Sequence, residues 1–412
     1  MSFKVFSFHP HLETAIQTSG YTTPTPIQQQ AMPSILGGRD LLGLAQTGTG
    51  KTAAFVLPTL QRLLQGPRKR VRALVVAPTR ELAEQINDYF LKMAVGTNLR
   101  SAVIYGGVSK SNQARRLREG VEVIVACPGR LLDHLQDKAV DLSHVEMLIL
   151  DEADHMFDKG FLPDIRRILK HVPVKRQTLI FSATMPGEVR HLVEDILSNP
   201  VTVQIDYQKL IKSVSHSMYQ VEQSGKTALL QELLSKPELQ NALVFTRTKH
   251  KARSLALSLE KAGFRAAALQ GNMSQVKRQQ ALEGFKQGTY NILVATDIAA
   301  RGIDVSGLSH VINFDMPDTV EAYTHRTGRT GRAACAGDAF TFMTSDDYRI
   351  VQQIKKALGS DMPIATISGS PGKAPINRAQ AVKPKTEKAV PAANANKNKQ
   401  RRGRATSFDF GI

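Results

Sequence analysis

The run Ala45-Gln46-Thr47-Gly48-Thr49-Gly50-Lys51-Thr52 lies between an apolar stretch, Leu41 to Leu44, and a helix-like stretch beginning at Ala53. Holding a nucleoside triphosphate takes amide N–H groups that converge on phosphate oxygens. Glycines let the backbone wrap that closely before a helix N-terminus faces the charge. Lys51 is then placed to neutralise the β- and γ-phosphates, and Thr52 to offer its hydroxyl to Mg²⁺. Ala45 stands at the first glycine position of the general pattern and is small enough to serve there with a negative φ. A glycine-rich turn that binds nothing is the alternative, disfavoured by the strand before it and the helix after it.

A metal-bound phosphate chain also needs carboxylates at the end of a neighbouring strand. Met147-Leu148-Ile149-Leu150 reads as a buried strand, followed at once by Asp151, Glu152 and Asp154, at the edge where open α/β sheets bind ligands. Asp151 is placed to hold the Mg²⁺ shell and Glu152 to orient or deprotonate an attacking water. Capping of the next helix is the plainer account. It covers part of Asp154 but not three acids after one buried strand. Far along the chain, Arg326, Arg329 and Arg332 recur every third residue in His325-Arg326-Thr327-Gly328-Arg329-Thr330-Gly331-Arg332. Opposite a triphosphate, such guanidinium groups stabilise transition-state charge, worth about 10³–10⁵ in rate. Arg329 and Arg332 are assigned that catalytic role beside Lys51, Asp151 and Glu152, and His325 is assigned a coupling role. Standing alone, the string reads as a solvated basic face; a phosphate loop in the other half favours the finger reading.

Such groups act only if strand ends hold them. Short apolar runs alternate with longer amphipathic stretches, the pattern of parallel strands joined by crossover helices. One set of strands is expected at Val71 to Ala77, Ala102 to Tyr105, Val121 to Ala126, Met147 to Leu150, Thr178 to Phe181 and Val201 to Ile205. A second is expected at Ala242 to Phe245, Ala266 to Leu269, Ile292 to Ala295, His310 to Phe314 and Ala339 to Phe342. Residues 206–217 are polar with no strong period and form the expected linker, giving domains at 1–205 and 218–358. The two halves read as two copies of one architecture. Residues 359–412 form the expected tail; from Pro371 onward, ten basic residues against Glu387 and Asp409 give +8 of the net +18. With few large apolar residues before Phe408, such a segment cannot offset chain entropy by burial, so a disordered basic tail is expected.

The 412 residues leave room for two to three domains, at about 150 residues each. With 42% apolar and 22% charged residues, composition is that of an ordinary globular protein. No run approaches the roughly 18 to 20 apolar residues of a membrane span. The first residues lack a secretory signal, and Cys127 and Cys335 are the only cysteines, so neither a disulfide framework nor a cysteine-rich metal site is available. A cytoplasmic location without membrane partners is expected. The excess of 54 Lys+Arg over 36 Asp+Glu draws polyanions such as nucleic acid.

Asp151-Glu152-Ala153-Asp154, with the phosphate loop, resembles the DEAD-box family of ATP-dependent RNA helicases, and the resemblance runs from about residue 3 to residue 350. It implies two tandem RecA-like α/β domains, ATP and Mg²⁺, and single-stranded or short duplex RNA bound largely without regard to sequence. Gly20 to Gln28 resembles the family's Q motif, in which Gln28 reads the adenine edge and Tyr21 belongs to the same nucleotide site. Phe3 sits at the family's spacing for an aromatic that stacks on adenine, although an N-terminal Phe taken alone is a hydrophobic anchor. Thr47, Gly48, Thr49, Gly50, Lys51 and Thr52 carry the phosphates, and Asp304 of the other half approaches the ribose.

Pro78, Thr79 and Arg80, Gly106 and Gly107, and Gly129 with Arg130 are similar to the family's RNA-backbone contacts. Arginines, hydroxyls and exposed amides suit phosphate and 2′-OH rather than base edges. Cys127 stands where the family usually has Thr, which removes a hydroxyl. Ser182 and Thr184 would couple the ATP site to strand separation, an ordinary helix N-cap being the other account of the pair. In the second half Thr246, Arg247, Thr296 and Gly302 are RNA contacts by resemblance. Gln275 and Arg278 resemble a coupling element that works with Asp154 and His325. Gln270 stands where close relatives have His.

The resemblance implies RNA-stimulated ATP hydrolysis at the interface of two domains, with local separation of short duplexes or remodelling of RNA–protein complexes. ATP and RNA then bind cooperatively through closure, as linkage demands. Val244 to His250 and the short core with a basic tail resemble bacterial RhlE-like members, and ribosomal or RNA-decay assemblies are the expected partner complexes. The tail would tether RNA electrostatically or only solubilise the chain. Two other classes stand beside this one. A DNA translocase would show equal stimulation by DNA and RNA. An assembly clamp would show no duplex unwinding dependent on Glu152 and ATP.

Overall fold

Ala73 and Val75 enter one hydrophobic core while Leu74 and Val76, alternating with them, enter another. That is strand periodicity with both faces covered, the condition that lets a parallel strand be apolar throughout. A computed structural model describes residues 2–46, 48–205, 214–300, 308–331, 337–359 and 364–365. Thr47, Gly302, Asp304, Arg332, linker residues 206–213 and the expected tail beyond 365 therefore lie outside the described residues.

Two seven-stranded sheets are formed. The first contains β1 (Leu41–Leu44), β2 (Ala73–Val76), β3 (Ser101–Ile104), β4 (Val123–Ala126), β5 (Met147–Leu150), β6 (Gln177–Ser182) and β7 (Val201–Gln204), in the order β3-β4-β2-β5-β6-β1-β7. The second contains β8 (Val214–Gln220), β9 (Ala242–Phe245), β10 (Ala266–Leu269), β11 (Ile292–Ala295), β12 (His310–Asn313), β13 (Gly337–Met343) and β14 (Ile364–Ala365), in the order β10-β11-β9-β12-β13-β8-β14. All pairings are parallel. Central strands such as β2, β4, β5 and β9 are buried at every residue, while the outer strands β3 and β7 mix buried with partly or fully exposed positions. Helices cover the faces, as the two tandem α/β domains required.

Two boundaries need correction. The linker expected to run to residue 217 ends earlier, because β8 begins at Val214 and pairs with β13 over seven residues. Only Val214 and Met218 of β8 are fully buried, so its sequence is too polar to read as a core strand. The tail expected from residue 359 is also shortened. Gly359 closes the helix Tyr348–Leu358 in a left-handed conformation, and Ile364–Ala365 pair with β8. Among the described residues no helix is long and apolar enough to cross a membrane.

In the first sheet parallel pairing puts every C-terminal strand end on one edge. Ala45 follows β1, Pro78 β2, Gly106 β3, Pro128 β4 and Asp151 β5, and Ser182 ends β6. The candidate groups thus reach one rim from separate stretches of sequence.

Candidate active site

The phosphate loop turns through two left-handed glycines, Gly48 (φ 84°) and Gly50 (φ 93°), and Gly50 opens the helix Lys51–Leu63. A Cβ at Gly50 would lie 2.5 Å from Gln28 Nε2 and 2.9 Å from Thr25 Oγ1, so both conformation and space demand glycine. Gln28 is 2% exposed. Its Nε2 donates to Gly50 O at 3.0 Å and its Oε1 accepts from Thr25 N at 2.9 Å. One hydrogen and one lone pair of the amide remain for an adenine edge. Lys51 is 5% exposed and donates from Nζ to Ala45 O at 2.8 Å, while Thr49 Oγ1 donates to Gln46 O at 2.8 Å. The hydroxyl of Thr52 has no hydrogen bond among the described residues.

Phe3 does not present an open stacking face. It is 6% exposed and packs in an aromatic cluster, its ring 6.1 Å from Phe6 and 6.2 Å from Tyr21. The anchor reading of Phe3 is the one the structure supports, and Tyr21, half-buried, is the more open ring.

Asp151 and Glu152 follow β5 at 2% and 6% exposure. Burial pushes Asp151 up to about 6 against the pull of Lys51. Burial would also raise Glu152, but the hydrogen bond and charge of His155, followed by Arg329 and Lys51, outweigh it and hold the carboxyl at about 2. His155 Nδ1 lies 3.3 Å from Glu152 Oε2, and Glu152 Oε1 is buried without a hydrogen-bond partner among the described residues. Glu152 also adopts a left-handed backbone, φ 51° and ψ 53°. Such conformations in non-glycine residues gather at functional sites.

Asp154 is not chiefly a cap. Its Oδ2 accepts from Ala183 N at 3.1 Å, Thr184 N at 2.9 Å and Thr184 Oγ1 at 3.0 Å. Its own N–H donates to Ser182 Oγ at 3.2 Å, and Ser182 Oγ donates to Thr184 O at 2.7 Å. The acid cluster and the Ser-Ala-Thr segment are therefore one hydrogen-bonded unit. It reaches the phosphate loop through Ala45 N donating to Ser182 O at 3.0 Å.

The second lobe meets this unit. Arg329 is 6% exposed and its charge acts on Glu152, and Gln46 Oε1 lies 3.1 Å from where a Cβ on Gly328 would stand. Arg326, by contrast, is a strut inside its own lobe. Its Nε and Nη2 grip Asp297 Oδ1 and Oδ2 at 2.6 and 2.7 Å, and its Nη1 donates to Asn313 Oδ1 at 3.2 Å and Asp315 O at 2.7 Å. Arg326→Ala is expected to destabilise the chain by about 3 kcal/mol, the low end for breaking a buried pair, because the Asp297 side chain keeps 32% exposure. A shift of the urea midpoint reads this, and an unmoved midpoint would show the strut to be dispensable. His325 sits half-buried in the last turn of the helix Val320–Thr327.

A second row of groups runs along the same rim. Arg80 lies over Gly107, where a Cβ would stand 2.3 Å from Arg80 Nη1, and over Gly106, whose Cβ would be 3.7 Å from Arg80 Nη2 and 4.0 Å from Arg130 Nη2. Around Gly129 the space is open. Arg130 Nη1 donates to Val108 O at 3.1 Å and Gln113 Oε1 at 3.2 Å. Thr79 Oγ1 accepts from Leu82 N at 3.2 Å, capping the helix Arg80–Met93, and Pro78 O accepts from Lys159 Nζ at 3.1 Å. Cys127 is the N-cap of the helix Pro128–Gln136 without a side-chain cap bond, the bond a Thr hydroxyl there could make. Burial pushes its thiol up to about 12.

From the second lobe, Gln275 Oε1 accepts from Arg80 Nη1 at 3.4 Å, and Arg278 Nε pairs with Glu81 Oε1 at 2.7 Å. Thr246 is fully buried and its hydroxyl donates to Thr248 O at 3.4 Å, so the expected RNA contact at Thr246 is corrected to a turn-shaping role. Arg247 is exposed and pairs with Asp318 Oδ1 at 3.2 Å, and Thr296 is 9% exposed. Sequence reasoning assigned no role to His155 or Lys159, and placed Glu81 and Gln46 only within longer motif runs. His155 alone carried a signal, three residues beyond Glu152 on the helix that begins at Ala153.

The residues fit a triphosphate with a hard divalent cation. Oxygen donors, Thr52 Oγ1 and the Asp151 carboxylate, stand beside a buried lysine, and the buried atoms Glu152 Oε1 and Gln46 Nε2 lack partners among the described residues. Two family models match the chain, "DEAD/DEAH box helicase" over residues 25–192 and "Helicase conserved C-terminal domain" over residues 225–334. The chain is 41% identical to the ATP-dependent RNA helicase CshA of Listeria monocytogenes over 86% of its own length and 69% of that protein. It is 42% identical to the ATP-dependent RNA helicase SrmB of Escherichia coli over 86% and 81%. Among solved structures, that of S. cerevisiae Dbp5 bound to RNA and ADP BeF3 matches with a TM-score of 0.81 and 29% identity, covering 89% of this chain and 95% of that one.

Proposed function

The chain belongs to the DEAD/DEAH box helicase family and is an ATP-dependent RNA helicase, and on that premise we propose how its own residues divide the work. The observation that carries the reading is the buried Glu152, whose Oε1 has no hydrogen-bond partner among the described residues and whose carboxyl feels the charges of Arg329 from the second lobe and Lys51 from the first. Lys51 exchanges Ala45 O for the phosphate chain of ATP. Gln28 turns its remaining hydrogen and lone pair to adenine, which selects ATP over GTP. Thr52 and Asp151 would hold Mg²⁺, which neutralises phosphate charge when bound. Glu152 aligns the attacking water through Oε1 and takes its proton, while His155 fixes the other oxygen. The water oxygen bonds to the γ-phosphorus, the β–γ bridging P–O bond breaks, and ADP leaves with its new negative charge against Arg329.

Asp154, Ser182 and Thr184 relay changes at the phosphate loop to the adjoining rim. There Arg80, Gly106, Gly107, Gly129 and Arg130 contact RNA phosphate and 2′-OH groups, and the Gln275 and Arg278 contacts join the lobes. Lobe closure then grips one strand and separates a short duplex locally. By the same reasoning Thr47, Asp304 and Arg332 complete the nucleotide site, with Gly302, Arg247 and Thr296 on RNA. The run Val244 to His250 supports a place beside RhlE-like members; the two cysteines of the chain suit a cytoplasmic setting, and ribosomal or RNA-decay assemblies are the proposed partner complexes.

ATPase assays without nucleic acid, with single-stranded RNA and with matching DNA, each repeated with GTP, test this reading. RNA should stimulate ATP turnover well above DNA, with little turnover of GTP. Equal stimulation by DNA would replace the RNA assignment with a DNA motor.

A further inference from the structure

The second lobe repeats the first strand for strand. Setting β8 against β1, β9 against β2, β12 against β5 and β13 against β6 turns one sheet order into the other. The hydrogen bonds at the strand ends correspond, with an offset of one residue after β12. Ala45 N, just after β1, donates to Ser182 O at 3.0 Å, and Val221 N, just after β8, donates to Met343 O at 2.9 Å. Asp151 N donates to Val76 O at 3.0 Å at the end of β2, and Asp315 N to Phe245 O at 3.2 Å at the end of β9. Counted from the paired residues Leu150 and Asn313, Asp315 lies one residue beyond the position equivalent to Asp151, at the same strand end.

Sequence completes the correspondence. After β1 the chain reads Gly50-Lys51-Thr52-Ala53 at the start of a helix, and after β8 it reads Gly225-Lys226-Thr227-Ala228 at the start of the helix Lys226–Leu234. The second loop is one residue shorter and has a single glycine. Its lysine still stands across from an aspartate. A cleft of about 390 Å³ opens there, with Lys226, Arg247, Lys251, Asp315, Asp346 and Asp347 as its charged lining.

The lining is unevenly satisfied. Asp347 Oδ2 accepts from Thr344 N and Oγ1, both at 2.8 Å, and Asp315 Oδ2 accepts from Arg247 N at 2.9 Å. Lys226, its side chain 3% exposed, makes no hydrogen bond among the described residues, its nearest carboxylate oxygen being Asp315 Oδ1 at 3.8 Å. Beneath it lies the Phe314 ring, 5.9 Å from Lys226 Nζ and 5.3 Å from Lys251 Nζ. The helix Lys226–Leu234 has no side-chain cap, so its first amides add donors to the same place. Burying an ammonium without a hydrogen-bonded acceptor is costly, and a phosphate oxygen would relieve it.

We propose that this cleft is a second phosphate site, which takes a short phosphate chain such as pyrophosphate and works independently of the first-lobe loop. No aromatic residue lines it, so it holds the phosphates rather than a base.

The test uses the full chain carrying Lys51→Ala, titrated calorimetrically with pyrophosphate and, separately, with ADP. One equivalent of pyrophosphate should bind, and ADP no more tightly. Adding Lys226→Met should weaken pyrophosphate about tenfold, the loss of one charged hydrogen bond. Lys251→Ala should weaken it in the same direction and serves if Lys226→Met fails to fold. Asp346→Asn, at an exposed position with no bond to lose, should tighten it, an opposite sign that general loosening of the lobe cannot produce. With Lys51 intact, Lys226→Met should keep RNA-stimulated ATP turnover. Absence of pyrophosphate binding, or binding indifferent to both lysine variants, would overturn the site. Tighter binding of ADP would overturn the phosphate-only assignment, and loss of turnover in Lys226→Met would overturn independence.

Discussion

Glu152→Gln will lower RNA-stimulated ATP turnover by about 10²–10⁴-fold, the contribution of one positioned acid–base group, while ATP and RNA still bind. Glutamine keeps the shape of the side chain and an acceptor oxygen, so the left-handed turn at Glu152 and the approach of His155 survive. What disappears is the negative charge that aligns water and receives its proton. Since Lys51, Gln28 and the RNA row do not depend on that charge, the variant should accumulate with ATP and RNA in place. Single-turnover hydrolysis and RNA retention, measured together, separate the two effects. Hydrolysis at the native rate would remove Glu152 from the chemistry, and lost RNA retention would make its role structural.

The contrast between what the sequence disclosed and what it did not follows chain distance and burial. Met147–Leu150, Ala242–Phe245 and Ile292–Ala295 were legible to the residue because a strand covered on both faces can be apolar throughout. β8 was not, since near the edge of its sheet it carries Ser215, His216 and Ser217 between its two buried residues, Val214 and Met218. Groups joined by a short stretch of chain were equally plain: Gly48 to Thr52 form one turn, and Asp151 to Asp154 one strand end.

Contacts set by the packing of distant segments had no local signal. Glu81 and Arg278 are 197 residues apart and pair at 2.7 Å, and Gln46 reaches Gly328 only because the lobes meet. Phe3 and Thr246 were placed by resemblance to family motifs, but a motif position does not report burial, and both side chains turn inward. The same limit separates Arg326 from Arg329. Three arginines at equal spacing look alike in a string, yet one is consumed by Asp297, Asn313 and Asp315 O, and another acts across to Glu152.

That separation makes the second large effect specific. Arg329→Ala will lower the turnover number by about 10³-fold or more, the range for a guanidinium that meets transition-state charge. One charge that Arg329 acts on, Glu152, belongs to the other lobe, and the Arg326 strut does not pass through Arg329. The KM for ATP should move far less than kcat, because Lys51 and Gln28 hold the ground state from the first lobe and Arg329 is needed where charge develops. Arg329→Lys should recover only part of the loss, since an ammonium lacks the planar fork, and added guanidinium ion should restore part of the activity of Arg329→Ala. A KM that rises while kcat stays native would show that Arg329 binds substrate uniformly. Unchanged turnover would mean that the first lobe completes the chemistry unaided and that lobe closure serves RNA alone.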